Sequence, residues 1–318
     1  MPSFYRREVL QRALDIVWRK KYLWFIGLFA GLATYGGEGD ILFRNFGSIG
    51  SLQHRIVVLR QQIHDGQISN FFTQIRNLFI HHPSTAFSYI AIILLLAVVF
   101  VWLVIVSQAA VIRIVGRTAE KKTSGIFDGL AVGTEKFWPI LLVNIIAKLL
   151  NWALWVIVAG VPAAIYFLQG NFAWAVAMSL GSFVVTVPIS IIISFLTKYA
   201  TAYITLRDSN ANQALRQGWK LFVDNWLVSL EIAGLVYLFN LVVSFLVTAV
   251  AVYTIQPYSW LGLSSLLFVL ALELAFLSAF SYSAWTFVFL KLVEGKAESK
   301  IGRWTTKLVD FAAPKKTV

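Results

Sequence analysis

Hydrophobic and polar positions divide this chain into long uncharged runs and shorter stretches in which apolar residues recur every three or four positions. Phe87–Ile112 and Phe172–Thr197 are each 26 residues without a charge, and Pro257–Leu290 holds only Glu273 in 34 residues. In lipid only a helix or a closed barrel satisfies its own backbone polar groups, and about 20 apolar residues suffice for a helix to cross. The pattern predicts six spanning helices: Tyr22–Tyr35, Phe87–Ile112, Phe137–Leu168, Phe172–Thr197, Leu221–Tyr253 and Tyr258–Leu290. The first is the weakest, because 14 residues at 1.5 Å each fall short of a hydrocarbon core of about 30 Å.

The shorter stretches have helical spacing. Val9/Leu10, Ala13/Leu14 and Val17/Trp18 form one stripe. Phe127, Leu130/Ala131, Thr134 and Phe137 form a second, and Ala211, Ala214/Leu215, Gly218/Trp219 and Phe222 a third. These are i, i+3, i+4, i+7 faces of half-buried helices. Each precedes a predicted span, and the sequences echo one another. "ALDIVWRKKYLW" is matched by "ALRQGWKLFVDNW", with a weaker copy in "GIFDGLAVGTEKFWPILLVN". The returning spans also end alike, in "AAVIRIVGR", "ATAYITLRD" and "TFVFLKLVEG". The repeat unit is therefore an amphipathic helix, a span, an outer loop and a returning span, used three times. The expected fold is an all-α integral membrane protein: six transmembrane helices as three helix-pair repeats, each preceded by an amphipathic interfacial helix. Glu298–Ala312 repeats that helix, with Ile301, Trp304, Leu308 and Phe311 on one face. Such helices either lie on the membrane surface, basic face toward headgroups, or pack as connecting helices on the bundle.

Charge fixes an orientation. Lys and Arg number six in Met1–Lys21, five in Arg113–Lys136, four in Lys198–Lys220 and seven in Lys291–Val318. The loops Gln169–Asn171 and Ile255–Pro257 hold none, and Gly36–Ala86 holds four in 51 residues. By the positive-inside rule both termini are expected in the cytoplasm. Eight tryptophans (18, 24, 138, 174, 219, 226, 260 and 304) lie near predicted interfaces, as an aromatic belt requires. The composition agrees: 58% hydrophobic, 13% charged, net +12. Because the cations flank the spans, they point to anionic lipid and not to nucleic acid. The absence of cysteine excludes disulfides. The N-terminus does not read as a convincing signal peptide, because its charged region is about 21 residues long and no good small-x-small cleavage site follows Leu32.

Ionisable groups inside a membrane are costly and are functional candidates. Lys148, Glu231 and Glu273 fall within predicted spans, with Asn144, Asn151 and Asn240 on the same helices. A Lys148 pair with Glu273 or Glu231 is one arrangement; a protonated, hydrogen-bonded Glu273, a water-filled path, or snorkelling of Lys148 and Glu231 are others. Lipid-headgroup candidates are Arg12, Arg19, Lys20, Lys21, Lys300, Arg303 and Lys307. His54, His64, His81 and His82 lie in the first outer loop without metal-site spacing. That loop carries two further stripes, Leu52/Ile56/Leu59/Ile63 and Ile68/Phe71/Phe72/Ile75/Leu78/Phe79. No phosphate-binding loop, nucleophile elbow or HExxH occurs. The glycines of Gly36–Asp40 and Gly47–Ser51 read as turns, and Pro162 and Pro188 as kinks.

The elements "ALRQGWKLFVDNW" and "ALDIVWRKKYLW" resemble the repeat of a loose group of bacterial multi-pass proteins, which includes the membrane domain attached to some glycerophosphodiester phosphodiesterases. The resemblance implies six helices in a bacterial cytoplasmic membrane and supplies no catalytic residue. These 318 residues hold no counterpart of the soluble phosphodiesterase domain, so hydrolysis is not implied. The expected function is non-enzymatic and needs no cofactor: contact with membrane lipids, or organisation of a membrane protein partner. A transporter or channel using Glu273, Lys148 and Glu231 is the alternative, and a membrane-embedded lipid enzyme a third.

Overall fold

The structure, a computed structural model, describes residues 4–34, 61, 67–160, 164, 172–254 and 260–295. The Gly36–Asp40 and Gly47–Ser51 turns, His54, His64, the 52–63 stripe, Pro162, the two short loops and the Glu298–Ala312 helix with Lys300, Arg303, Trp304 and Lys307 lie outside the described residues. Within them every regular element is a helix. In order these are α1 (Phe4–Arg19), α2 (Tyr22–Thr34), α3 (Gln67–His81), α4 (Pro83–Ala119), α5 (Ile126–Glu135), α6 (Phe137–Trp155, continued by a π-turn Val156–Gly160), α7 (Phe172–Arg207), α8 (Ala211–Asp224), α9 (Trp226–Thr254) and α10 (Trp260–Val293). Five are long and apolar enough to cross a membrane: Pro83–Ala119, Phe137–Val158, Leu180–Arg207, Trp226–Ala251 and Trp260–Val293. Tyr22–Leu32 is a shorter apolar helix. The fold is compatible with a multi-pass membrane protein.

Three short helices give way to apolar helices across breaks of one or two residues. At Lys20–Lys21 the chain turns, and the Trp24 indole donates to the Val17 carbonyl at 3.0 Å, tying α2 back onto α1. At Lys136 a new helix starts whose third residue is Pro139. A proline is tolerated there because first-turn N–H groups have no intrahelical acceptor. At Asn225 the backbone N–H turns back to Phe222 O at 3.1 Å, closing α8.

The chain forms two compact units. One comprises 1–39, 104–148 and 192–318; the other 40–103 and 149–191. In the second, α3 leads into α4, and Phe79 meets Phe87 edge-on at 6.0 Å. The α4 segment Phe87–Trp102 leaves its large apolar side chains exposed, as a lipid-facing helix does. In the first unit, Ala275 to Leu292 of α10 forms a largely buried segment, and α1 and α2 pack on α10.

The short helices bury faces that differ in part from their apolar stripes. On α1, Val9, Ala13 and Val17 are buried while Leu14 and Trp18 are exposed. On α8, Ala211, Ala214, Gly218 and Leu221 are buried and Trp219 is exposed. On α5 the buried residues are Gly129 and Gly133, and Phe127 is 81% exposed. Glycine lets two backbones approach closely, and a search for apolar periodicity passes over it. A Cβ on Gly133 would stand 2.5 Å from Val106 O of α4, one on Gly218 3.2 Å from Ala200 N of α7, and one on Gly27 2.7 Å from Ala275 O of α10.

Candidate functional site

The polar centre of the first unit is a hydrogen-bonded chain across four helices. Asn144 of α6 donates through Nδ2 to Gln108 Oε1 of α4 at 3.1 Å and to Ile140 O at 2.9 Å. Gln108 Nε2 donates to the Tyr282 hydroxyl of α10 at 2.9 Å, and that hydroxyl donates to Ala30 O of α2 at 3.3 Å. Gln108 is 3%, Asn144 7% and Tyr282 9% exposed. The helices bring these groups to one level: Ala30 follows Lys21 by nine residues, Asn144 follows Lys136 by eight, and Tyr282 precedes Lys291 by nine. In low dielectric, unpaired donors and acceptors are expensive, so a network whose members are all bonded holds its helices in register. A second link joins α7 to α9, where the Tyr199 and Ser229 hydroxyls are 2.7 Å apart.

Beside it, Lys198 Nζ of α7 lies 4.6 Å from the centre of the Trp285 ring of α10. Phe195 contacts the same indole at 5.2 Å and Tyr199 at 6.0 Å. This is a cation held on an aromatic face.

The predicted ionisable residues lie on three helices. Lys148 is exposed on α6, whereas Glu231 of α9 and Glu273 of α10 are half-buried. Asn151 is half-buried, and Asn240 has a buried amide oxygen without a hydrogen-bond partner among the described residues. Of the predicted polar residues, Asn144 enters the network through Gln108. Gln108, Tyr199 and Tyr282 escaped a reading that searched for charges; the signal available was that a neutral amide or phenol within an uncharged span also needs a partner. Lys198 escaped because α7 continues past it to Arg207.

At the helix breaks, Arg12 pairs with Glu8 and Arg19 with Asp15, one turn apart along α1. Lys20 Nζ donates to Thr118 Oγ1 at 2.9 Å, and burial alone pulls its ammonium below the ordinary lysine value. Lys21 is exposed. Lys136 bridges Glu135 at 2.8 Å and Asp208 at 2.9 Å, and hydrogen bonds to both carboxylates raise its pKa. Asp208 ends α7 with φ +54, a left-handed conformation that Asp and Asn tolerate better than most residues.

In comparisons with known proteins, no family model, no curated protein and no solved structure matches this chain.

Proposed function

We propose that this chain is a non-enzymatic integral membrane component that holds anionic lipid, and organises a membrane partner, through the outward faces of its short helices. The observation that carries this is the composition of those faces. Once Val9, Ala13 and Val17 are turned inward, α1 presents Trp18 beside Arg19 and Lys21. α8 presents Trp219 between Arg216 and Lys220, and α5 presents Phe127 ahead of an exposed Trp138. Aromatic rings with flanking cations suit the boundary between acyl chains and anionic headgroups.

On this reading the chain crosses six times as three units, with both termini in the cytoplasm of a bacterial cell and α2 as the short first crossing. Contacts between successive units support the threefold scheme. Each returning helix bonds to the entering helix of the next unit: Gln108 to Asn144, Tyr199 to Ser229, and the last to the first, Tyr282 to Ala30 O. Each short helix likewise packs on the returning helix before it, α5 on α4, α8 on α7, and α1 on α10. The resemblance to the membrane domain attached to some glycerophosphodiester phosphodiesterases points the same way.

Native mass spectrometry of the protein released from membranes tests the function. Retained phosphatidylglycerol or cardiolipin is expected; release with no anionic lipid would refute it. Half-buried Glu231 and Glu273 within long apolar helices favour a second reading, solute or ion transport, for which loss of flux in Glu273→Gln would be required.

A further inference from the structure

The structure assigns a specific phosphate-binding position to the junction of the α1–α2 break with the α4–α5 loop, built from Lys20 and Ser124, with Tyr22 tying the two segments together. The inference rests on the lipid-contact reading above and names one headgroup site within it. Two contacts join these segments. Lys20 Nζ donates to Thr118 Oγ1 at 2.9 Å, and the Tyr22 hydroxyl donates to Ser124 O at 3.4 Å. The Thr118 hydroxyl is already donating to Ile114 O at 2.6 Å, so towards Lys20 it is a neutral acceptor only. A part-buried ammonium thus meets a hydroxyl where a counter-charge is wanted, which is why burial pulls its pKa down with nothing pulling it back up.

The adjacent donor is also unsatisfied. Ser124 is 8% exposed, and its Oγ has no hydrogen-bond partner among the described residues. A buried hydroxyl left unpaired costs about 1–3 kcal/mol. Ser124 immediately precedes Gly125, the residue that caps α5, so it stands at the positive end of that helix. The Asp128 carboxylate takes the Gly125 N–H at 3.2 Å, and Glu120 is paired with Lys122 at 2.8 Å. Against these two carboxylates stand Lys20, Arg117, Lys121 and Lys122 on the same stretch, with Lys21 exposed at the rim.

One ammonium without a counter-charge and one unpaired hydroxyl belong to this junction, where an apolar helix begins, which in a bilayer is the depth of the headgroups. A phosphate offers several acceptor oxygens and a negative charge, matching that set. A phosphodiester of an anionic lipid and a free phosphate share this chemistry.

The test uses the full chain in detergent, titrated with phosphatidylglycerol, phosphatidylcholine or inorganic phosphate and read by native mass spectrometry and thermal unfolding. We expect one phosphatidylglycerol to be retained, and its affinity to fall at least about tenfold, some 1.4 kcal/mol, in Lys20→Gln. A smaller loss is expected in Ser124→Ala, and none in Lys291→Gln in the last turn of α10. Stabilisation by inorganic phosphate, lost in the same variants, would identify free phosphate as the source. If Lys20→Gln does not fold, Ser124→Ala carries the test. Anionic lipid retained equally by all variants would overturn this site while leaving the lipid-contact reading intact. Anionic lipid absent from the wild type would overturn both.

Discussion

The sharpest energetic expectation concerns Gly27, where α2 crosses α10. A methyl group there would lie 2.7 Å from Ala275 O, 2.8 Å from Ala279 Cβ and 3.0 Å from Ala279 N. Carbon contacts are comfortable at about 3.5 Å. Two of these neighbours are backbone, which no rotamer change moves aside, so Gly27→Ala must push α2 and α10 apart by roughly 0.7 Å. A gap of that size forfeits a quarter to a half of the dispersion energy of the atoms facing it. Overpacking of this kind costs about 1–3 kcal/mol. Gly234 of α9 is the control, because nothing lies within 4 Å of a Cβ added there. There the gain in helix propensity leaves Gly234→Ala neutral or up to about 1 kcal/mol more stable. Thermal unfolding in one detergent, followed by far-UV circular dichroism, should show Gly27→Ala melting roughly 2–8 °C below the parent and Gly234→Ala at or above it. The reverse order, or equal melting of all three proteins, would refute the crossing of α2 on α10.

Tyr282→Phe removes both bonds of the hydroxyl at the centre of the network and should cost about 1 kcal/mol. Combined with Gln108→Leu in the same unfolding assay, it should cost less than the two single losses together, because the partners are shared. Lys136 gains Glu135 and Asp208 on folding, so its pKa stands above the ordinary 10.5. The pairing contributes in full below that value and is lost as the pH climbs through the raised one. Asp208→Asn keeps a residue suited to positive φ, so it isolates the charge. It should lower stability by about 0.5 kcal/mol in dilute buffer, by almost nothing near 1 M salt, and by less as the pH passes about 10.5. Trp219→Ala, which removes an exposed ring from α8, should leave the melting temperature unchanged while weakening phosphatidylglycerol retention.

The long helices were legible because hydrocarbon demands unbroken apolar sequence; Phe87–Ile112 and Phe172–Thr197 admit little else. The short helices were legible from their stripes, but a stripe reports a face and not its neighbour. For α1 the inward residues Val9, Ala13 and Val17 are one half of the predicted pairs, and Leu14 and Trp18 are the outward half. For α5 the stripe through Phe127 misled, since Gly129 and Gly133 make the contact and hydrophobicity does not register an absent side chain. Long-range partners such as Gln108 with Tyr282, 174 positions apart, leave no local trace. Lys20 was found as a headgroup candidate from charge alone. Its partner Thr118 and the unsatisfied Ser124 required coordinates, because both belong to a stretch whose periodicity is silent.

The claim on which all this depends is a chain that doubles back through the bilayer with its cationic segments on one side. Compartment-specific reporters fused within residues 36–86 and, separately, after the C-terminal tail test it most directly. We expect the first to be active only outside the cytoplasm and the second only inside it. Signals from the same side at both positions would contradict the account.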